Sequence, residues 1–234
     1  MSSSQDRHVV HFRTSGTTGS GYLAGPKSGV APGVIVVQEW WGLVAHIKDV
    51  VDRFAAAGFV ALAPDLYDGQ TTESPDEAGK LMMALEIESA EQKLRGAIDY
   101  LLGRDDVAGA TVGTVGFCMG GQLSLYAACA NPKVGACVDF YGIHPNVKPD
   151  LGHLQAPVLG FFAENDQFAT PEVARQLEQD LTAAGKQVEF TVFDGADHAF
   201  FNDTRHQVYH AEYAKQCWER MVLFFNQHLR EGVG

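Results

Sequence analysis

Val115-Gly116-Phe117-Cys118-Met119-Gly120-Gly121 joins the end of a β-rich run, Thr111–Phe117, to a helix built of small residues, Met119–Ala130. A side chain at the apex of such a strand-to-helix turn is held by a strained backbone, clear of both elements. The residues two places to either side must be small, because strand and helix pass close together there. Gly116 and Gly120 meet that demand, and Gly121 relieves it further. The pattern is G-x-S-x-G with sulfur in place of oxygen, a geometry suited to an exposed nucleophile.

Outward from this turn the chain alternates strands and helices. Val9–Phe12 and Gly21–Ala24 read as a hairpin at a sheet edge, around a turn rich in Ser, Thr and Gly. Gly33–Glu39 is a continuous apolar run, the pattern of a strand covered on both faces. A helix over Ala45–Ala57 stops at Gly58, and a buried strand follows at Phe59–Pro64. A polar loop, Asp65–Pro75, leads into a single long helical pattern from Asp76 to Leu102. Beyond the turn come strands Ala136–Tyr141 and Val158–Ala163, then helix Pro171–Ala184 with Thr170 as its N-cap. Strand Gln187–Phe193, a loop over Asp194–Thr204 and an amphipathic helix to Leu229 complete the order. This alternation predicts an α/β fold, a mostly parallel sheet with helices on both faces, as one domain over residues 1–234.

The 234 residues are 46% hydrophobic and 20% charged, and can bury a core without disulfides or metals. A formal charge of −12 argues against a nucleic-acid partner, which needs a basic face. The start, Met-Ser-Ser-Ser-Gln-Asp-Arg, has no apolar signal-peptide core, and no apolar run is long enough to span a membrane. A cytoplasmic protein, monomeric or a small homo-oligomer, is expected. Cys129, Cys137 and Cys217 read as small buried hydrophobes, and no cysteine pair has metal-ligand spacing. His206 and His210 could share a helix face, but no third ligand accompanies them. No metal and no cofactor is expected.

Sites in parallel sheets form outside the carboxyl ends of the strands. Those ends carry Gln38, Glu39 and Trp40, then Asp65, Cys118, Tyr141 and His144, then Glu164, Asn165 and Asp166, and finally Asp194, Asp197 and His198. A thiol nucleophile needs a base, and the base needs an acid to orient it. His198, after the last strand, is the expected base. Asp166 is the favoured acid, with Glu164 its rival; Asp197 adjoins the histidine in the chain, and Asp65 fits better as a brace for its own loop.

These residues resemble the dienelactone hydrolase family of the α/β-hydrolase superfamily. The matching stretches are Gln38-Glu39-Trp40-Trp41-Gly42, Ala63-Pro64-Asp65-Leu66-Tyr67, Gly116–Gly121, Phe140-Tyr141-Gly142, Asn165-Asp166 and Asp197-His198-Ala199-Phe200. The resemblance implies a Cys118–His198–Asp166 triad in an α/β-hydrolase fold. It also implies that Glu39 hydrogen-bonds the resting thiol and helps to generate the thiolate. Two arginines that clamp a substrate carboxylate in the family fall here on Pro75 and Asn202. Neither can replace a bidentate arginine, and nothing in the sequence places Arg205 or Lys80 nearby.

The expected activity is therefore hydrolysis of a small-molecule ester or lactone, neutral rather than carboxylated, through a thioester on Cys118. The backbone N–H groups of Met119 and Trp40 would hold the oxyanion. Trp40, Trp41, Tyr67, Tyr141, Phe168 and Phe200 are candidates to line an apolar pocket. The competing readings are a thiol sensor or binding protein on the same fold, and an acyltransferase.

Overall fold

The computed structural model describes residues 6–230. Eight strands form one sheet: β1 (Asp6–Arg13), β2 (Thr18–Gly25), β3 (Ala31–Val37), β4 (Val60–Pro64), β5 (Val107–Phe117), β6 (Val134–Phe140), β7 (Val158–Ala163) and β8 (Val188–Phe193). Their spatial order is β1-β2-β4-β3-β5-β6-β7-β8. The first two strands pair antiparallel, with Val9 opposite Tyr22, and β2 joins β4 antiparallel. From β4 to β8 every pairing is parallel. This is the mostly parallel sheet expected from the alternation of elements, in the α/β-hydrolase fold that the resemblance implies.

The helices are α1 (Ala45–Ala56), α2 (Pro75–Ala84), α3 (Ile87–Leu102), α4 (Met119–Ala130), α5 (Pro171–Ala183) and α6 (Ala211–Arg230). Alternate residues of β5 show how two of them sandwich the sheet. Gly113 faces α6, where a side chain would strike Phe225. Thr114 faces the other way and donates its hydroxyl to the Ser124 carbonyl of α4. On the α6 side, Phe54 of α1 packs on Trp218 at 4.9 Å and on Phe225 at 5.9 Å. Residues of β3 and β4 are buried throughout, as strands covered on both faces must be.

Two expectations are corrected. The long helix over Asp76–Leu102 is two helices, broken at Leu85, whose backbone is extended (φ −64°, ψ 117°). No glycine or proline causes the break. His144, in the loop after β6, comes within 3.2 Å of the Met82 carbonyl through Nε2, while its Nδ1 accepts from the Asn146 N–H. That tertiary contact satisfies a carbonyl which a continuous helix would have used. The final helix also begins later than expected, at Ala211. Residues 205–210 form turns closed by bonds from Val208 and Tyr209 to the Arg205 carbonyl, and His210 Nδ1 accepts the Tyr213 N–H. His206 and His210 therefore precede the helix and share no helical face.

The connections run from β3 to β4 on one side, then back across to β5 on the other. The carboxyl ends of β3 and β5 thus flank the point where the strand order reverses, which is where open α/β sheets bind ligands. Val37 at the end of β3 is in register with Gly116, two residues before Cys118.

Candidate functional site

Cys118 occupies the N-cap of α4 with φ 55° and ψ −122°. For a residue with a Cβ this is strained backbone, stable only where the surroundings impose it. A methyl group on Gly116 would overlap the Gly120 carbonyl, and one on Gly120 would strike the Val37 and Gln38 carbonyls. The glycines are what permit strand, turn and helix to come this close. Among the described residues, three of the four non-glycine residues with positive φ lie in this region: Cys118, Tyr141 and Ala199.

The His198 loop is anchored by its own aromatic residues. Phe201 is buried on Phe117 at 5.2 Å and on Phe140 at 4.8 Å, extending a row of rings that continues to Phe161. Phe200 is wholly buried against Phe193 and Tyr141. Held in this way, His198 places Nδ1 2.6 Å from Asp166 Oδ2. The other oxygen, Oδ1, accepts the N–H groups of Phe168 at 2.8 Å and Ala169 at 3.0 Å. With Nδ1 committed to the carboxylate, the opposite nitrogen of the ring is left for Cys118. Burial works against charge on His198, but its hydrogen bonds with Asp166 and Cys118 outweigh that and push it up to about 10.

The rival acids are used elsewhere. Glu164 accepts the Gly195 N–H at 2.7 Å, and Asp65 accepts those of Tyr67 and Gly69 within its own loop. Burial pushes the thiols of Cys129 and Cys137 up to about 12, and that of Cys217 higher still. All four cysteines are free.

Glu39 is buried just beyond β3, and its Oε2 accepts the side-chain N–H of buried Asn202 at 2.8 Å. That amide is the side-chain partner the structure gives Glu39. The N–H groups of Met119 and Trp40 are unspent on backbone carbonyls among the described residues. For Met119 this follows from its place in the first turn of α4.

The aromatic candidates divide by burial. Phe168 is 60% exposed and meets His198 edge-on at 5.3 Å. Trp40 is half-buried and packs edge-on against Trp41. Tyr67 is buried, and its hydroxyl donates to Met119 Sδ at 3.2 Å; burial and the neighbouring Cys118 keep the phenol protonated. Tyr141 is wholly buried with its ring 5.0 Å from His198. Phe200 and Tyr141 back the histidine, so the expectation that they line open space is corrected.

A cavity of about 580 Å³ opens beside Asn202, bounded by Trp41, His46, Pro75 and Arg205 among others. Arg205 stacks on Trp41 at 4.9 Å, and its buried Nε has no hydrogen-bond partner among the described residues. Lys80 is instead exposed and paired with Glu77. His46, buried between Phe117 and Phe201, brings Nδ1 to 3.4 Å from Asp203. Sequence reasoning missed Phe201 and His46 because each reads as an ordinary core position, and it could not place Arg205 without knowing the turns that follow it. Among the described residues no cluster of three or more His, Cys, Asp or Glu could hold a metal ion. No helix among them is long and apolar enough to cross a membrane.

A model of the dienelactone hydrolase family matches residues 20–229. Protein usf of Aquifex pyrophilus is 37% identical, with 94% of this chain and 98% of that protein covered. An Aquifex aeolicus (strain VF5) protein, provisionally named a carboxymethylenebutenolidase, is 34% identical over 95% of this chain and 99% of its own. A crystal structure from Klebsiella pneumoniae, provisionally named a dienelactone hydrolase, shares 30% identity and a TM-score of 0.84, covering 95% of this chain and 99% of that one. With the sheet order, the strained turn and the matched length together, the chain belongs to the dienelactone hydrolase family of carboxylic ester hydrolases.

Proposed function

We propose that Cys118 is the nucleophile of a hydrolase acting on esters or lactones, with His198 as its base and Asp166 as the orienting acid. Cys118 gives its proton to His198, and the thiolate adds to the substrate carbonyl. The oxyanion takes hydrogen bonds from the Met119 and Trp40 N–H groups, donors worth about 3 kcal/mol each in such sites. Collapse breaks the bond to the leaving oxygen, which takes the proton from His198 and departs as an alcohol, or as the opened end of a lactone. The resulting thioester is attacked by water, whose proton passes to His198. Expulsion of the Cys118 thiolate then releases the carboxylic acid.

The observation that carries this reading is the 2.6 Å bond between His198 Nδ1 and the buried Asp166 carboxylate, beside the histidine's hydrogen bond with Cys118. Cys118→Ala is expected to reduce hydrolysis of a small activated aryl ester to background. Retention of activity by that variant would sink the reading. Acyl-adduct mass spectrometry separates catalysis from thiol sensing, since a transient mass on Cys118 marks the former and a stable sulfenic acid the latter.

The substrate is a neutral ester or lactone, supported by the uncharged residues at positions 75 and 202 and by the use of the Asn202 amide on Glu39. One observation favours a second reading, an acidic substrate: Arg205 lines the neighbouring cavity with an unpartnered Nε. A panel of neutral aryl esters, simple lactones and a carboxylated lactone decides between them. Preference for the carboxylated lactone, abolished by Arg205→Gln, would establish the second.

A further inference from the structure

Phe168 is the one exposed phenylalanine of the fourteen in the chain, with 60% of its surface open to solvent. Single exposed apolar residues are ordinary on a protein surface; what sets this one apart is its neighbour. Its ring meets that of His198 edge-on at 5.3 Å. We propose that Phe168 is a specificity-determining residue, the platform on which the leaving group rests, and that the substrates are open-chain esters whose alcohol half is aromatic. This rests on the assignment of Cys118 and His198 as nucleophile and base.

Position, access and chemistry carry it together. The Phe168 N–H donates to Asp166 Oδ1 at 2.8 Å, and the N–H of fully buried Ala169 donates to the same oxygen at 3.0 Å. The backbone that carries the ring is thus tied to the carboxylate that orients His198. Cys118 is only 7% exposed, whereas the His198 side chain is 19% exposed. Two aromatic side chains pack on the imidazole: Tyr141 is wholly buried, and Phe168 is the one that reaches solvent. As the bond between the acyl carbon and the leaving oxygen breaks, that oxygen takes the proton from His198 and departs as a phenol. The acyl group stays on the Cys118 sulfur as a thioester. The leaving oxygen must therefore lie within hydrogen-bond reach of the imidazole. An aryl group on that oxygen can reach the spacing of about 4.5–7 Å at which aromatic rings pair. In a lactone the same oxygen is tied back to the acyl chain, so no separate half can spread over Phe168.

The test compares kcat/KM for methyl, cyclohexyl, phenyl and 1-naphthyl acetate in the unmodified protein, Phe168→Ala and Phe168→Leu. Each variant is scored as its ratio to the unmodified protein on the same ester, so the intrinsic reactivity of the leaving group cancels. Phe168→Ala should lose about tenfold on the two aryl acetates and less than about twofold on methyl acetate. Phe168→Leu keeps apolar bulk and should lose about threefold or less on the aryl pair. Decay of the acetyl group on Cys118, common to all four esters and followed by intact mass, should be unchanged. An equal loss on all four esters, or a slower decay of the acetyl group, would show that the ring only props His198 and would overturn the proposal. Ratios near one on every ester would overturn it as well, as would a loss that follows the acyl chain when phenyl acetate is compared with phenyl hexanoate. If Cys118→Ala still hydrolyses phenyl acetate, the nucleophile assignment has failed instead.

Discussion

Asp166 is a carboxylate with every direction assigned: two backbone N–H groups on one oxygen and His198 on the other. Asp166→Asn keeps the shape but presents an N–H2 or a weaker acceptor to Nδ1, leaving the imidazole in the wrong tautomer. Such a change lowers kcat by about 10⁴ in comparable triads, and the same order is expected here, with little change in KM for an activated ester. Asp139 is the opposite case. It is wholly buried, neither oxygen has a hydrogen-bond partner among the described residues, and burial pushes it up to about 7 despite the nearby Gly142 N–H. Its folded value lies above the unfolded one, so its contribution is full below about pH 4 and is lost as pH rises through 7. Asp139→Asn should remove that slope from urea-unfolding free energies measured between pH 4 and 8. A slope identical in both proteins would contradict the assignment.

At the scale of elements, the turn at Cys118 depends on close backbone approach. Gly120→Ala would press a methyl group onto the Val37 and Gln38 carbonyls. Overpacking of this kind costs about 1–3 kcal/mol, which for a chain of this size is a fall in Tm of roughly 2–12 °C, and activity should fall further than stability. The strand pattern and this turn were legible because apolar runs and paired glycines state their purpose locally. The break at Leu85 was not, since Ala84-Leu85-Glu86-Ile87 is good helical sequence and the side chain that meets the Met82 carbonyl there, His144, lies about sixty residues away. The contact between His198 and Asp166 followed from order along the chain, whereas the Glu39–Asn202 bond joins residues far apart in sequence and follows no local pattern. His144→Ala should remove a contact to the Met82 carbonyl, and hydrogen exchange should then quicken in the last turn of α2 while α4 is unaffected.

For the whole molecule, the large shifts share one sign, whereas His144, Asp106 and Glu172 move the other way by less. His198 is raised to about 10, and the thiols of Cys129 and Cys137 to about 12. Each holds its proton more tightly folded than unfolded. The stability from His198 is complete below about pH 6.5 and drains away as pH rises through 10, and the thiols add to the loss above about pH 8.5. Tm should therefore fall steadily from pH 6.5 to 10, and His198→Gln should flatten the first part of that fall. The formal charge of −12 works in the same direction by self-repulsion. It also sets a kinetic signature: kcat/KM for a carboxylated ester should rise with added salt as repulsion is screened, while that for a neutral ester should not.

The assembly of the site from distant loops has a consequence during synthesis. Cys118 leaves the ribosome well before residues 166, 198 and 202, the proposed acid, the proposed base and the amide on Glu39. On the proposed mechanism, a nascent chain halted between positions 118 and 198 carries the thiol without its base. On that mechanism reactivity waits for the loop anchored by Phe200 and Phe201, which comes late in the chain.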